Sequence, residues 1–147
     1  MPLLTRWFIK LALIYLVVAL WLGAALLTQA LRPLPPFIAA LGPVYFHLFM
    51  VGWVTQLIFG VVYWMFPKYS QEKPRGREGL WQATFWLLNL GLLLRMISEP
   101  MQALTPAPLP PRPPAAFWGW SLALSAILQW LAGLLFVVNT WGRVKER

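Results

Sequence analysis

The chain has no cysteine and no aspartate, and a single histidine in 147 residues. Without cysteine there are no disulfides, no thiolate metal sites, no cysteine-bridged dinuclear copper and no covalent haem attachment through a Cys-x-x-Cys-His motif. The acids are Glu72, Glu78, Glu99 and Glu146, and the one imidazole is His47, so few groups remain for acid–base or metal chemistry. Charged residues are also scarce, at 11% against about a quarter in ordinary soluble domains. With 60% hydrophobic residues, a chain of this length cannot hide its apolar surface in one water-soluble core.

Long apolar runs are what the chain has in abundance. Hydropathy divides it into four spans at 7–31, 44–66, 80–98 and 116–141. Each is near the ~20 residues that a helix needs to cross ~30 Å of hydrocarbon. None alternates polar with apolar, so barrel strands are excluded. The expected fold is all-α: one integral membrane four-helix bundle occupying residues 1–147 as a single domain. The first run is too long for a signal peptide and is expected to be a retained helix.

The net charge of +8 raises nucleic acid as a partner, but the basic residues flank apolar runs instead of forming a stripe, so no nucleic-acid partner is expected. They obey the positive-inside pattern. Arg6, Lys10, Lys68, Lys73, Arg75, Arg77, Arg143, Lys145 and Arg147 fall on one side, and only Arg32 and Arg112 on the other. Both termini are therefore expected in the cytoplasm, in a multi-pass protein of the cell's inner (plasma) membrane. The loop at 99–115 holds half of the 14 prolines, and its 106–114 run favours a stiff polyproline II strap. Trp7, Trp81 and Trp141 mark one interface, and Trp118 and Trp120 the other.

Polar residues inside the spans are where function is to be sought. Gln56, Asn89 and Gln129 fall near mid-span. Gly52, Gln56 and Gly60 share a face of the second helix, as Ser121, Ser125, Gln129 and Gly133 do on the fourth. Close packing with amide hydrogen bonds explains both stripes; a solute pathway, and so a small transporter or channel, is the rival reading.

Nearer the outer end lie His47 on the second helix and Arg95 and Glu99, one turn apart, on the third. Glu99 is the i,i+4 partner expected for Arg95. Two readings stay open. Arg95 can snorkel to the interface while His47 merely bonds near the head groups. Alternatively, the imidazole is an axial ligand for haem iron and the guanidinium a partner for a propionate, with the macrocycle deeper among apolar side chains.

The stretch from His47 through Gly52, Gln56 and Gly60 to Pro67, His-Leu-Phe-Met-Val-Gly-Trp-Val-Thr-Gln-Leu-Ile-Phe-Gly-Val-Val-Tyr-Trp-Met-Phe-Pro, resembles the first histidine-bearing helix of subunit I of the haem–copper oxidases and nitric oxide reductases. The chain as a whole resembles short four-helix relatives of that subunit's N-terminal part. The resemblance implies that His47 binds a low-spin haem b, a metal site of one residue; Arg95 is matched to the propionates by depth and chemistry. The family's further histidines are missing here, so the resemblance implies no binuclear centre and no oxidase chemistry.

The expected function is thus a small membrane b-type haem protein acting in electron transfer, gas or redox sensing, or haem handling. The alternatives are a haem-free accessory or assembly subunit of a respiratory oxidase and the small transporter. Membrane lipid, further copies of the chain in a homo-oligomer, and respiratory-chain proteins are the expected partners. With one histidine, the iron is either five-coordinate, shared between His47 of two protomers, or ligated by Met96 or Met101. Met50 shares a helix with His47 and cannot reach the opposite face of a porphyrin.

Overall fold

A computed structural model describes residues 1–71, 74–105 and 113–144, and no strand occurs among them. The proline strap expected over 106–114 lies largely outside the described residues; Pro113 already opens the last helix, a position that suits its fixed φ and missing N–H.

Among the described residues four helical stretches are long and apolar enough to cross a membrane: Leu3–Ala30, Pro36–Met65, Glu78–Leu104 and Ala116–Trp141. The first is α1 (Leu3–Leu27) closed by a 3-10 turn at Thr28–Ala30. The second is built from short α2 (Pro36–Ala39), α3 (Gly42–His47), a π-helical segment (Leu48–Thr55) and α4 (Gln56–Met65). The third is α5 (Glu78–Leu104) and the fourth α6 (Pro113–Trp141).

All four expected apolar helices are present, with shifted ends. The second begins at Pro36 because two prolines, Pro36 and Pro43, each sit in the first turn of a short helix. The third runs past Ser98 to Leu104 with Pro100 inside it. Proline removes one N–H from the helical ladder; here it does so within the last turns, where its ring is buried.

The core lies in two layers. One gathers Phe8, Phe59, Tyr63, Trp81, Phe85 and neighbours, with Phe59 of α4 stacked on Phe136 of α6 at 3.9 Å between ring centres. The other gathers Tyr15, Ala19, Leu22, Val44, Leu48 and Leu92. Small residues set how closely the helices approach. A Cβ on Gly60 would stand 2.8 Å from Cβ of Phe8, and one on Gly52 would stand 2.9 Å from the Tyr15 ring. Gly91 of α5 lies against α6, where its carbonyl accepts a hydrogen bond from Ser125 Oγ at 2.7 Å. α5 is the central helix: 39% of its most apolar stretch is buried, against 11% for α6.

The π segment has a packing consequence. In an α-helix of 3.6 residues per turn, residues four apart drift steadily around the axis. The wider i→i+5 turn of a π-helix drifts the other way. Leu48, Gly52, Gln56 and Gly60 are accordingly all buried on one straight stripe. Thr55 Oγ1 marks the wide turn by donating to the Met50 carbonyl, five residues back, at 2.9 Å.

Candidate functional site

His47 is the last residue of α3, immediately before the π segment. Its ring lies between two helices and meets three groups. Arg95 Nη1, from α5, donates to His47 Nε2. A guanidinium has only donors, so Nε2 carries the lone pair and Nδ1 carries the hydrogen. Nδ1–H donates to the carbonyl of Pro43, one turn earlier, at 2.9 Å. Glu99 Oε2 stands 3.7 Å from the same nitrogen.

The expected Arg95–Glu99 pair does not form, and the reason is geometric. The imidazole enters between the two side chains, with Arg95 on one nitrogen and Glu99 beside the other. Three buried polar atoms along this part of α5 are left without hydrogen-bond partners: Arg95 Nε, Glu99 Oε2 and Gln102 Oε1. Gln102 was not among the residues expected at this site; its spacing of seven from Arg95 and three from Glu99 was the available signal. The Pro43 carbonyl was also missed. That carbonyl, one turn before His47, accepts the hydrogen that the Arg95 contact places on Nδ1.

Of the methionines considered as sixth ligands, Met101 is partly exposed, whereas Met96 packs beside the second core layer. Among the described residues no cluster of three or more His, Cys, Asp or Glu could hold a metal ion.

The three mid-span amides face protein, but no direct bond joins any two of them. Gln56 Nε2 reaches the Phe8 carbonyl at 3.4 Å. Asn89 donates to Phe85 O at 2.8 Å and accepts from the Tyr15 hydroxyl at 3.0 Å. Gln129 Nε2 donates to Ser125 Oγ at 3.0 Å. Two of these bonds join helices, Tyr15 to Asn89 and Gln56 to Phe8, and two lie within one helix, while Gln56 Oε1 is buried without a partner.

A second polar device sits at the opposite end of the bundle. Arg143, 1% exposed, donates from Nε to Pro67 O at 3.0 Å and from Nη2 to Phe66 O at 2.8 Å and Tyr63 O at 3.5 Å. These carbonyls end the second span, where no later N–H is available to take them. Pro67 at the span's end was the signal for such a cap, and the sequence analysis used it only as a boundary. Burial, then the charge of Arg75, pull the Arg143 guanidinium below its ordinary pKa. It stays cationic and complements the negative end of the helix dipole. Asn139 completes the junction, accepting from Arg77 N–H and donating to Arg77 O, both at 3.1 Å.

Comparison with protein families, curated proteins and solved structures gave no match.

Proposed function

We propose that the chain is a small b-type haem protein of the membrane, with His47 the axial ligand and Arg95 the partner of a haem carboxylate. The orientation of one side chain carries this reading. The Nδ1–H bond to Pro43 O holds the ring in the tautomer that leaves Nε2 free of hydrogen, as a ligating histidine requires, with its other nitrogen anchored on a backbone carbonyl. The residue types and their shared depth fit the group. Arg95, which holds Nε2 in the structure, would exchange that bond for a carboxylate. Haem there supplies a one-electron couple or a gas-binding iron. The chain's own contribution is to fix the ring, place a cation beside it and surround both with apolar helices.

The Lys and Arg asymmetry supports membrane insertion with both termini in the cytoplasm. Single cysteines introduced between α4 and α5 and between α5 and α6 test this; labelling of the former from outside intact cells would reverse the orientation.

A haem-free accessory or assembly subunit of a respiratory complex is the second reading. The observation favouring it is that Arg95 closes on Nε2 itself, which makes the pair a finished crosslink between the second and third spans. The absorbance spectrum of purified, haem-supplemented protein separates the two. The haem reading expects a Soret band that His47→Ala abolishes; no band in the unsubstituted protein leaves the second reading.

A further inference from the structure

One groove runs along the seam between α1 and α5, and its two parts differ in chemistry. Near the basic end is a cavity of about 290 Å³ whose polar lining comes from Tyr63, Arg75, Glu78 and Gln82. Beyond it is an open apolar trough of about 530 Å³, within the ~300–1,000 Å³ range of small-molecule sites. Trp7 lines both. The α5 side continues from Gln82 in the cavity to Phe85, Trp86, Asn89 and Leu93 in the trough, a spacing of three and four that keeps them on one helix face. The two parts are therefore consecutive along one site.

We propose that this groove binds a glycerophospholipid with a primary ammonium headgroup, its phosphate on Arg75, its ammonium at Glu78 and one acyl chain in the trough. The inference rests on membrane insertion of the four spans and is independent of haem.

Length identifies the occupant. On α1 the trough extends from Trp7 to Val18, about 16 Å at 1.5 Å per residue. That is half of a ~30 Å hydrocarbon core, so it suits a chain from one leaflet. A helix from a second copy would need the full thickness. The trough is lined almost wholly by apolar surface, and its one amide, Asn89, is engaged by Tyr15 and Phe85.

Charge identifies the headgroup. Arg75 and Glu78 stand 3.7 Å apart, further than a charge-assisted hydrogen bond, so each retains capacity for an outside partner. The Arg75 backbone is pinned because its carbonyl accepts from Trp81 Nε1 at 2.9 Å. Its guanidinium lies over the Tyr63 ring, 5.3 Å from the ring centre. A cation and an anion fixed side by side complement a zwitterion whose ammonium can donate hydrogen bonds. A trimethylated headgroup cannot donate, and a glycerol headgroup brings hydroxyls but no cation to balance Glu78.

Native mass spectrometry of the full chain tests this, using phosphatidylethanolamine, phosphatidylcholine and phosphatidylglycerol of identical acyl chains added to the detergent-purified protein. The expected result is one phosphatidylethanolamine retained about fivefold better than either competitor. Arg75→Gln should lower retention of all three. Glu78→Gln should keep binding but erase the preference over phosphatidylcholine, and it serves as the reporter should Arg75→Gln fail to fold. Equal retention of the three lipids, a preference for phosphatidylglycerol, or retention unchanged in both variants would overturn the proposal.

Discussion

Arg95 donates to His47 across two helices, 48 positions apart in the chain. The guanidinium takes the lone pair of Nε2, which forces the hydrogen to Nδ1 and hence onto the Pro43 carbonyl. The reactivity of the only imidazole is thereby in the hands of a residue on another span.

Removing Arg95 should therefore expose Nε2. In haem-free protein, Arg95→Leu is expected to speed modification of His47 by diethylpyrocarbonate several-fold, read by mass spectrometry at the single histidine. A rate unchanged from the unsubstituted protein would mean that the Arg95–His47 bond does not persist in solution. In haem-loaded protein the same variant should lower the midpoint potential, because a cation that favours the ferrous state is lost.

Coordination is decided by the scarcity of ligands. For the proposed haem, the single histidine makes five-coordinate iron or a haem shared by two copies the expected arrangements, ahead of ligation by Met96 or Met101. Carbon monoxide added to reduced protein, together with the haem-to-protomer ratio, separates these. Fast binding at one haem per protomer supports the open site; no binding at half a haem per protomer supports the shared one.

Arg143→Ala strips the caps from three carbonyls at the end of the second span. A loss of about 2–4 kcal/mol is expected, since buried acceptors are left unpaired. Arg143→Lys should recover only part, because one ammonium cannot reproduce the fork. Thermal unfolding in detergent measures both, and equal stability of Ala and Arg forms would refute the capping role.

Glycines at two positions should behave oppositely. Gly60→Ala drives a Cβ to 2.8 Å from Phe8 Cβ, and about 1–3 kcal/mol of destabilisation is expected from overpacking. Gly133 has nothing within 4 Å of the added carbon, so Gly133→Ala should be neutral or stabilising by helix propensity. The same unfolding experiment compares them; a Gly60→Ala protein as stable as Gly133→Ala would contradict the close approach of α1 and α4.

Much of the architecture was legible in hydropathy alone, because nothing but a long helix satisfies an apolar run of that length. Ends were harder to read. Pro100 looks like a stop from its local chemistry, yet α5 continues to Leu104 around its buried ring. The π segment left no mark in the sequence that distinguishes it from an α-helix, since Leu48–Thr55 is apolar in either geometry. Within the candidate site, His47, Arg95 and Glu99 could be gathered from their depth. Which of them would pair could not, because i,i+4 spacing favours Arg95–Glu99 and only the crossing of two spans inserts the imidazole between them.

The Arg143 cap also imposes an order on biosynthesis. The carbonyl of Phe66 waits for a donor 77 residues later in the chain. At ~5–20 residues per second, the second span spends about 4–15 s after its own synthesis with that end unclosed. Until Arg143 is made, the last turn of the second helix therefore has no guanidinium to close it, although α1 already lies against its Gly52 and Gly60.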